Sequence, residues 1–356
     1  MGRRSVTLTL ADPGTSNMSV PCVRVEREAG ERARAHLAEV DLVDGSREIV
    51  AQDGYLYVPV VDAAAVPAEY DVVCREAPGR ETQTTPADVL GFDPSYGRLG
   101  DLVIVDEDDP DRARALAEAI LKSDLPVRAV LDRASEIKGE KRVREWEVLA
   151  TDPAGGVENA DEGRPPTETV HREYGCEFAL DLAAVYFSPR LATERHRVVR
   201  QVSAGERAFD MFAGVGPYAV PVAKRGAEVV ATDVNGTAVE YLRENARRND
   251  VADCVTSIHG DVREVAADYG GWADRIVMNL PHSADEFLGT AVALAGGSCT
   301  LHYYDIQGED DPYGPGERAI RAAADGYEVT IETRRTVRSY APHELNVVLD
   351  ARLDRR

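Results

Sequence analysis

Short apolar runs alternating with amphipathic stretches dominate the second half of the chain. Ala208-Phe209-Asp210-Met211-Phe212, Glu228-Val229-Val230-Ala231-Thr232 and Arg275-Ile276-Val277-Met278 each stop at glycine, aspartate or asparagine. Runs this short and this apolar are expected of strands buried in a parallel sheet with helices on both faces. From about residue 186 the expected order is helix, glycine-ended strand, helix, strand ending at Asp233, helix over 237–249, strand to Asp261, helix, strand ending at Asn279 and helix over 283–295. Strands at 299–304, 328–333 and 344–349 complete it. That succession predicts a doubly wound α/β sheet with an added hairpin.

The first half reads differently. Strands at 22–25, 48–50 and 55–60 around a helix over 30–38 suggest a small α/β module, residues 1–65, followed by an alanine-rich linker at 61–67. Residues 66–180 read as an α+β region with strands at 102–105, 128–131 and 144–149 and a helix over 110–122. It lacks a glycine-rich ligand loop, so its expected task is to position a substrate. The tracts 152–166 and 308–316, rich in Gly, Pro and acidic residues, read as solvated loops. Residues 181–356 form the third expected domain.

The chemistry concentrates around Asp210-Met211-Phe212-Ala213-Gly214-Val215-Gly216-Pro217. Gly214 and Gly216 let the backbone turn tightly and approach a ligand without a Cβ in the way. Asp233, at the end of the next strand, is placed to accept hydrogen bonds from both hydroxyls of an adenosine ribose. Residues 214–219 also fit the GxGxxA dinucleotide fingerprint, which keeps a nicotinamide dehydrogenase in view. Asp210 weighs against it, because a carboxylate in the turn suits a cationic amino acid, as in S-adenosylmethionine, and repels a pyrophosphate. Asn279-Leu280-Pro281-His282 ends the fourth strand at the ligand crevice of such sheets, and Asn279 offers an acceptor and two donors to a base edge.

Composition narrows the setting. The 356 residues carry a net charge of −22, and Lys122, Lys138, Lys141 and Lys224 are the only lysines among 41 basic residues. Abundant carboxylate with little lysine suits a protein kept soluble in concentrated salt, where screening cuts self-repulsion to a range of ~3 Å at 1 M. No apolar stretch approaches the ~18 residues of a spanning helix, and the first residues lack the apolar block of a signal peptide. A cytoplasmic protein is expected. Cys22, Cys74, Cys176, Cys254 and Cys299 show no paired spacing and are expected to be reduced core residues, with neither a disulfide framework nor a metal site. An acidic chain is a poor general binder of nucleic acid, but two local basic groups are candidates for phosphate contact: Arg128, Arg133, Lys138, Lys141, Arg142 and Arg144, and Arg190, Arg195, Arg197 and Arg200.

Val185-Tyr186-Phe187-Ser188-Pro189-Arg190-Leu191-Ala192-Thr193-Glu194-Arg195, the Asp210–Pro217 segment and Asn279-Leu280-Pro281-His282 together resemble the archaeal and eukaryotic tRNA (guanosine-37, N1) methyltransferase family. Gly139-Glu140-Lys141-Arg142-Val143-Arg144 and Arg338-Ser339-Tyr340-Ala341-Pro342 are similar to it as well, so the resemblance covers most of residues 128–356. It implies a class I, Rossmann-like S-adenosylmethionine methyltransferase domain with an α+β middle domain and an N-terminal module that checks the tRNA elbow. The implied reaction moves a methyl group to N1 of the guanosine 3′ of the anticodon. The implied partner is tRNA and the implied state a monomer. In this scheme Glu194 removes the N1 proton, helped by the apolar Tyr186 and Phe187 beside it, which favour its protonated form. Arg142 or Arg144 steadies charge developing on O6. Asn279 holds the guanine edge, Pro281 shapes the pocket, Tyr186 stacks on the extruded base, and Arg190 and Arg195 bind substrate. Asp210, Phe212, Gly214, Gly216, Asp233, Asp261 and Asn279 hold the cofactor, Asp261 reaching the adenine amine. Methylation of a tricyclic wyosine precursor at the same position, a methyltransferase for another RNA, the dehydrogenase and a catalytically idle RNA-binding module remain open.

Overall fold

In a computed structural model of the chain, the described residues are 19–80, 83–135, 139, 141–152 and 163–356. Lys138, Glu140 and most of the acidic tract 152–166 lie outside them. The chain divides into two compact units, residues 1–84 and 85–356.

The first unit contains β1 (Ser19–Glu26), α1 (Gly30–Glu39), β2 (Val50–Gln52), β3 (Tyr55–Pro59) and β4 (Asp71–Glu76). The strands form one antiparallel sheet in the order β2-β3-β1-β4. Val23, Leu37, Leu42, Val58 and Val60 make its core. The sheet extends past the boundary expected at residue 65. The alanines expected to be linker form a single 3-10 turn, Ala63–Ala65, capped by the Asp62 carboxylate accepting from Ala64 N at 2.9 Å, and the chain then returns as β4 beside β1.

The second unit opens with α2 (Pro86–Leu90), β5 (Gly97–Leu99), β6 (Leu102–Val105), α3 (Pro110–Lys122), β7 (Ala129–Arg133), β8 (Trp146–Thr151) and the hairpin β9 (Glu168–Glu173) and β10 (Cys176–Asp181). Asp109 ahead of Pro110 starts α3, its carboxylate accepting from Asp111 N at 2.9 Å and Arg112 N at 3.2 Å, an N-cap followed by proline at the first helical position. Strands β5-β6-β7-β8 form a small sheet. Its Leu99, Leu102, Ala129 and Leu131 share one core with Phe178 and Leu180 of β10 and with Val220, Val229 and Leu242 further along the chain. Trp146 Nε1 donates to Leu182 O at 2.8 Å, and Thr169 Oγ1 to Asp101 at 2.7 Å. The middle region is therefore fixed against the large sheet by shared apolar burial.

The remainder follows the expected alternation: α4 (Ala192–Val199), β11 (Arg207–Asp210), α5 (Ala219–Lys224), β12 (Glu228–Asp233), α6 (Gly236–Arg248), β13 (Val255–His259), α7 (Val262–Val265), β14 (Ala273–Met278), α8 (Leu288–Leu294), β15 (Ala295–Gly308), α9 (Gly314–Ala323), β16 (Tyr327–Ala341) and β17 (Glu344–Arg355). The sheet order is β13-β12-β11-β14-β15-β17-β16, parallel through β15 and antiparallel beyond it. Successive strands step outward from β11 to β13, and β14 returns to the other side of β11. The chain order reverses there, and the carboxyl ends of the strands open a crevice. α9 begins inside a tract expected to be loop, because Gly314-Pro315-Gly316 starts a helix whose Ile320 then packs into the core. Of the cysteines, Cys22, Cys176 and Cys299 are buried as expected, whereas Cys74 and Cys254 are exposed. Among the described residues no helix is long and apolar enough to cross a membrane.

Candidate active site

A cavity opens at the carboxyl ends of β11, β12 and β14. Phe212, Gly214, Asp233, Asp261, Asn279, Pro281, Tyr186, Arg142 and Arg195 line it, all of them expected at the site. Lys141, a candidate for phosphate contact, lines it as well, and so do Tyr218, Arg263, His282, Arg338, Tyr340 and Asn346, to which the sequence assigned no role there.

The β11 turn carries the glycines. Gly214 has φ +53° and its amide donates to Asp233 Oδ2 at 2.7 Å, while Asn235 N donates to Oδ1 at 2.8 Å. Each Asp233 oxygen keeps a lone pair for a second donor. Burial holds its carboxyl above the usual carboxylate range, opposed by those two amides. Gly216 (φ +90°) does not line the cavity. A Cβ there meets Leu242 Cδ1 at 2.5 Å, so this glycine serves helix packing and not direct cofactor contact. Asp210 also lies behind the cavity wall. It is fully buried, neither carboxylate oxygen has a hydrogen bond of good geometry, and the backbone amides of Phe212 and Ala219 are the nearby donors. Burial, with Asp233 nearby, pushes its pKa up to about 7. Asp261 caps α7 by accepting from Arg263 N at 2.9 Å and pairs with the Arg263 guanidinium, which holds it below the usual range. Its carboxylate is thus engaged by Arg263 while it lines the cavity.

The opposite wall is built from several segments. Asn235, the N-cap of α6, donates from Nδ2 to Ala184 O at 2.8 Å and so ties down the loop that presents Tyr186. Arg142 sits in a turn ahead of β8 with φ +53°, its guanidinium 5.6 Å from the centre of the Tyr186 ring. Arg144 instead lies over Trp146 and does not line the cavity. The structure thus separates the two arginines that sequence left equivalent. His282 stands edge-on to Tyr340, and its pKa is lowered by burial and by Arg142.

Two further expectations are corrected. Arg195 touches the cavity, but its guanidinium is buried and committed: Nε donates to Glu173 Oε1 at 2.8 Å and a terminal nitrogen to Ser188 O at 3.1 Å. It cannot be offered to a phosphate without stranding a buried carboxylate. Arg190, by contrast, is exposed on the turn beside Leu191 of the cavity wall. Glu194 is buried, but its surroundings are not apolar. Arg197 donates to it at 2.7 and 3.0 Å, Tyr304 Oη donates at 2.8 Å, and Arg335 lies at 3.4 Å. Tyr218, on the cavity wall, donates to Tyr304 at 2.9 Å, which places Glu194 two hydroxyls behind that wall. Arg197 also pairs with Asp350 at 2.5 Å. Asp350 accepts from His302 Nδ1 at 2.7 Å, and Arg275 donates to His302 Nε2 at 2.7 Å. Arginine can only donate, so His302 is the neutral Nδ1–H tautomer, in keeping with the burial that lowers its pKa.

A crevice at the strand reversal, walled by a ribose-type carboxylate, a glycine turn and an Asn-Leu-Pro-His strand end, defines a Rossmann-like methyltransferase. The chain belongs to the TRM5/TYW2 methyltransferase family. Residues 169–332 match the TRM5/TYW2 methyltransferase domain and residues 22–69 the tRNA methyltransferase 5 N-terminal domain. The chain is 38% identical over 341 residues to the tRNA (guanine(37)-N(1))-methyltransferase Trm5b of Pyrococcus abyssi, covering 93% of this chain and 98% of the relative. A complex of aTrm5 with tRNALeu superposes with TM-score 0.66 at 30% identity, covering 94% of this chain and 99% of that one. The tRNA(Phe) (4-demethylwyosine(37)-C(7)) aminocarboxypropyltransferase of Methanocaldococcus jannaschii is 32% identical over 268 residues, covering 73% of this chain and 98% of the relative. The wyosine-branch relative is thus named for transfer of an aminocarboxypropyl group, where the sequence reading supposed a methyl.

Proposed function

We propose that this enzyme methylates N1 of guanosine 37 in tRNA with S-adenosylmethionine. The observation that carries the reading is one cavity that brings the Gly214 turn and Asp233 face to face with Asn279, Tyr186 and Arg142. The donor set fits the cofactor: Asp233 has free lone pairs for ribose hydroxyls, and the uncompensated Asp210 carboxylate beneath the turn favours a cation. When bound, the cofactor supplies a methyl group on a sulfonium. The protein's part is to hold guanine N1 in line with that methyl, take up the N1 proton and balance charge on O6. Tyr186 supplies a stacking face, Asn279 the contacts to the base edge and Arg142 the cation for O6, with Glu194 as the base, which receives the N1 proton through the Tyr218 and Tyr304 hydroxyls that separate it from the cavity. The N-terminal module, continued through β4, contacts tRNA away from the reacting base, residues 85 to about 180 support the guanine side of the pocket, and the remainder binds the cofactor. The match of residues 22–69 to the tRNA methyltransferase 5 N-terminal domain favours this reading over aminocarboxypropyl transfer.

The decisive experiment incubates the protein at high salt with methyl-labelled S-adenosylmethionine and unmodified transcripts carrying G or A at position 37, followed by nucleoside analysis. N1-methylguanosine from the G transcript alone supports the reading. Absence of product from both sends the search to other RNAs and to tricyclic guanosines.

Arg142→Ala is expected to slow transfer ~10²-fold or more, as loss of an oxyanion donor does, whereas Arg144→Ala stays within about threefold. Single-turnover rates at saturating tRNA check this, and the reverse order would reassign the O6 contact. Asp233→Ala is expected to raise the cofactor KM about tenfold or more with little change in tRNA affinity. Equal effects on both would move the ribose site elsewhere. The chain works as a monomer in a salt-rich cytoplasm. Its net charge of −22 predicts a Tm that rises from dilute buffer to molar potassium chloride. A Tm that falls on that addition contradicts the salt adaptation.

A further inference from the structure

The cavity wall holds two polar atoms that nothing among the described residues satisfies: Nε of Arg338 and Oδ1 of Asn346, both buried. Asn346 is 3% exposed, and both residues line the cavity. They are direct cross-strand partners on β16 and β17, so their side chains share a face of the hairpin. A register shift between Thr336 and Arg338 re-aims the strand just before this pair. A buried donor and acceptor left unpaired side by side are costly unless a ligand completes them.

The sheet order says which ligand. The cofactor-side residues stand on or just after β11, β12 and β13, whereas β17 and β16 lie two and three strands beyond β14, which ends just before Asn279, on the substrate side. The edge of the base already has Asn279 and Arg142. What remains of a nucleotide is its ribose and phosphate. A ribose 2′-hydroxyl donates while the adjoining 3′-phosphate accepts, and the two are neighbours only in RNA. A carbonyl oxygen beside a guanidinium N–H is complementary to that pair.

Resting on the proposed reaction, we infer that Asn346 and Arg338 form a subsite for the ribose-phosphate of the target nucleotide, Asn346 Oδ1 accepting from its 2′-hydroxyl and Arg338 donating to its 3′-phosphate. The test compares single-turnover methylation of transcripts carrying guanosine or 2′-deoxyguanosine at position 37. The wild type is expected to be about tenfold slower on the deoxy transcript. Asn346→Ala is expected to be slow on both, with the ratio near one, and Asn346→Asp, which keeps an acceptor, to retain the ratio. Arg338→Ala is expected to weaken tRNA binding and lower its salt slope by about one. Cofactor binding by each variant reports on folding. A wild type indifferent to the 2′-hydroxyl, or an Asn346→Ala enzyme that still discriminates, overturns the subsite while leaving N1 methylation intact. No methylation of the guanosine transcript by the wild type overturns the proposed reaction instead.

Discussion

Glu194→Gln is expected to slow methyl transfer by ~10²–10⁴-fold, the usual contribution of a general base, while tRNA and cofactor affinities stay within about threefold. The substitution conserves shape. Arg197 keeps Asp350, and the Tyr304 hydroxyl keeps an oxygen to donate to, so the buried ion network loses one charge without losing its framework. That matters because removing one partner of a buried pair outright costs ~3–5 kcal/mol and confuses catalysis with folding. Since Glu194 lies behind Tyr218 and Tyr304, Tyr304→Phe is the companion variant. It leaves the carboxylate in place but removes the hydroxyl that joins it to the cavity, so a loss in kcat comparable to that of Glu194→Gln, with unchanged KM, is expected. The readout that separates base from scaffold is the split between rate and affinity: a slower single turnover with both affinities kept marks Glu194 as the base, and a loss shared with cofactor affinity or Tm marks it as scaffold. A variant with the wild-type rate removes Glu194 from the chemistry.

The central sheet was legible in the sequence because buried parallel strands have no polar face. Runs such as Val229-Val230-Ala231 and Ile276-Val277-Met278 announce themselves without any long-range information. Strands with one wet face were harder to see. β9 reads Glu-Thr-Val-His-Arg-Glu, and only its pairing with β10 makes Thr169 and Val170 structural. The ends of β16 and β17 alternate polar residues, so both strands were expected to be much shorter than they are. The site followed the same rule. Asp233, Asn279 and Gly214 stand at or just after the ends of the legible strands and line the cavity. Arg142 could not be told from Arg144, because a left-handed turn, and not the strand alternation expected over 144–149, decides which one faces Tyr186. The surroundings of Glu194 come from Tyr304 on β15 and, through Arg197, from Asp350 on β17, far away in sequence and close only after β15 and β17 pair. Arg338 was visible as part of a family-like segment, but its role depends on its cross-strand partner Asn346.

Asp210→Asn is expected to make the cofactor-free protein more stable at pH 8 and yet a weaker binder of S-adenosylmethionine. With its pKa raised to about 7 by burial, the Asp210 carboxyl binds a proton more tightly folded than unfolded. A raised folded-state pKa contributes stability at low pH that is lost as pH climbs through the folded value. The window therefore runs from about pH 4 to about 7, and the loss across it is roughly 3–4 kcal/mol. Asparagine carries no such penalty, so the Tm of the variant, measured at constant high salt without cofactor, should decline less steeply over that window than that of the wild type. In the proposed reading the buried charge is tolerated because the ligand is a cation. Bringing sulfonium and ammonium groups over the turn favours the ionised carboxylate, so binding should release a proton below neutrality, and wild-type affinity should rise with pH until Asp210 is ionised in the free protein as well. Asparagine forfeits that attraction, about tenfold in Kd for ~1.4 kcal/mol, and its affinity should no longer change with pH. Asp233 is another carboxyl raised by burial, but in the proposed reading it meets neutral ribose hydroxyls, and it is held by the amides of Gly214 and Asn235. Asp233→Asn should therefore weaken binding while leaving the pH dependence in place. Titration calorimetry in two buffers of different ionisation enthalpy counts the released proton directly. If the wild type releases none between pH 6 and 7, the charge beneath the glycine turn is not what the cofactor answers.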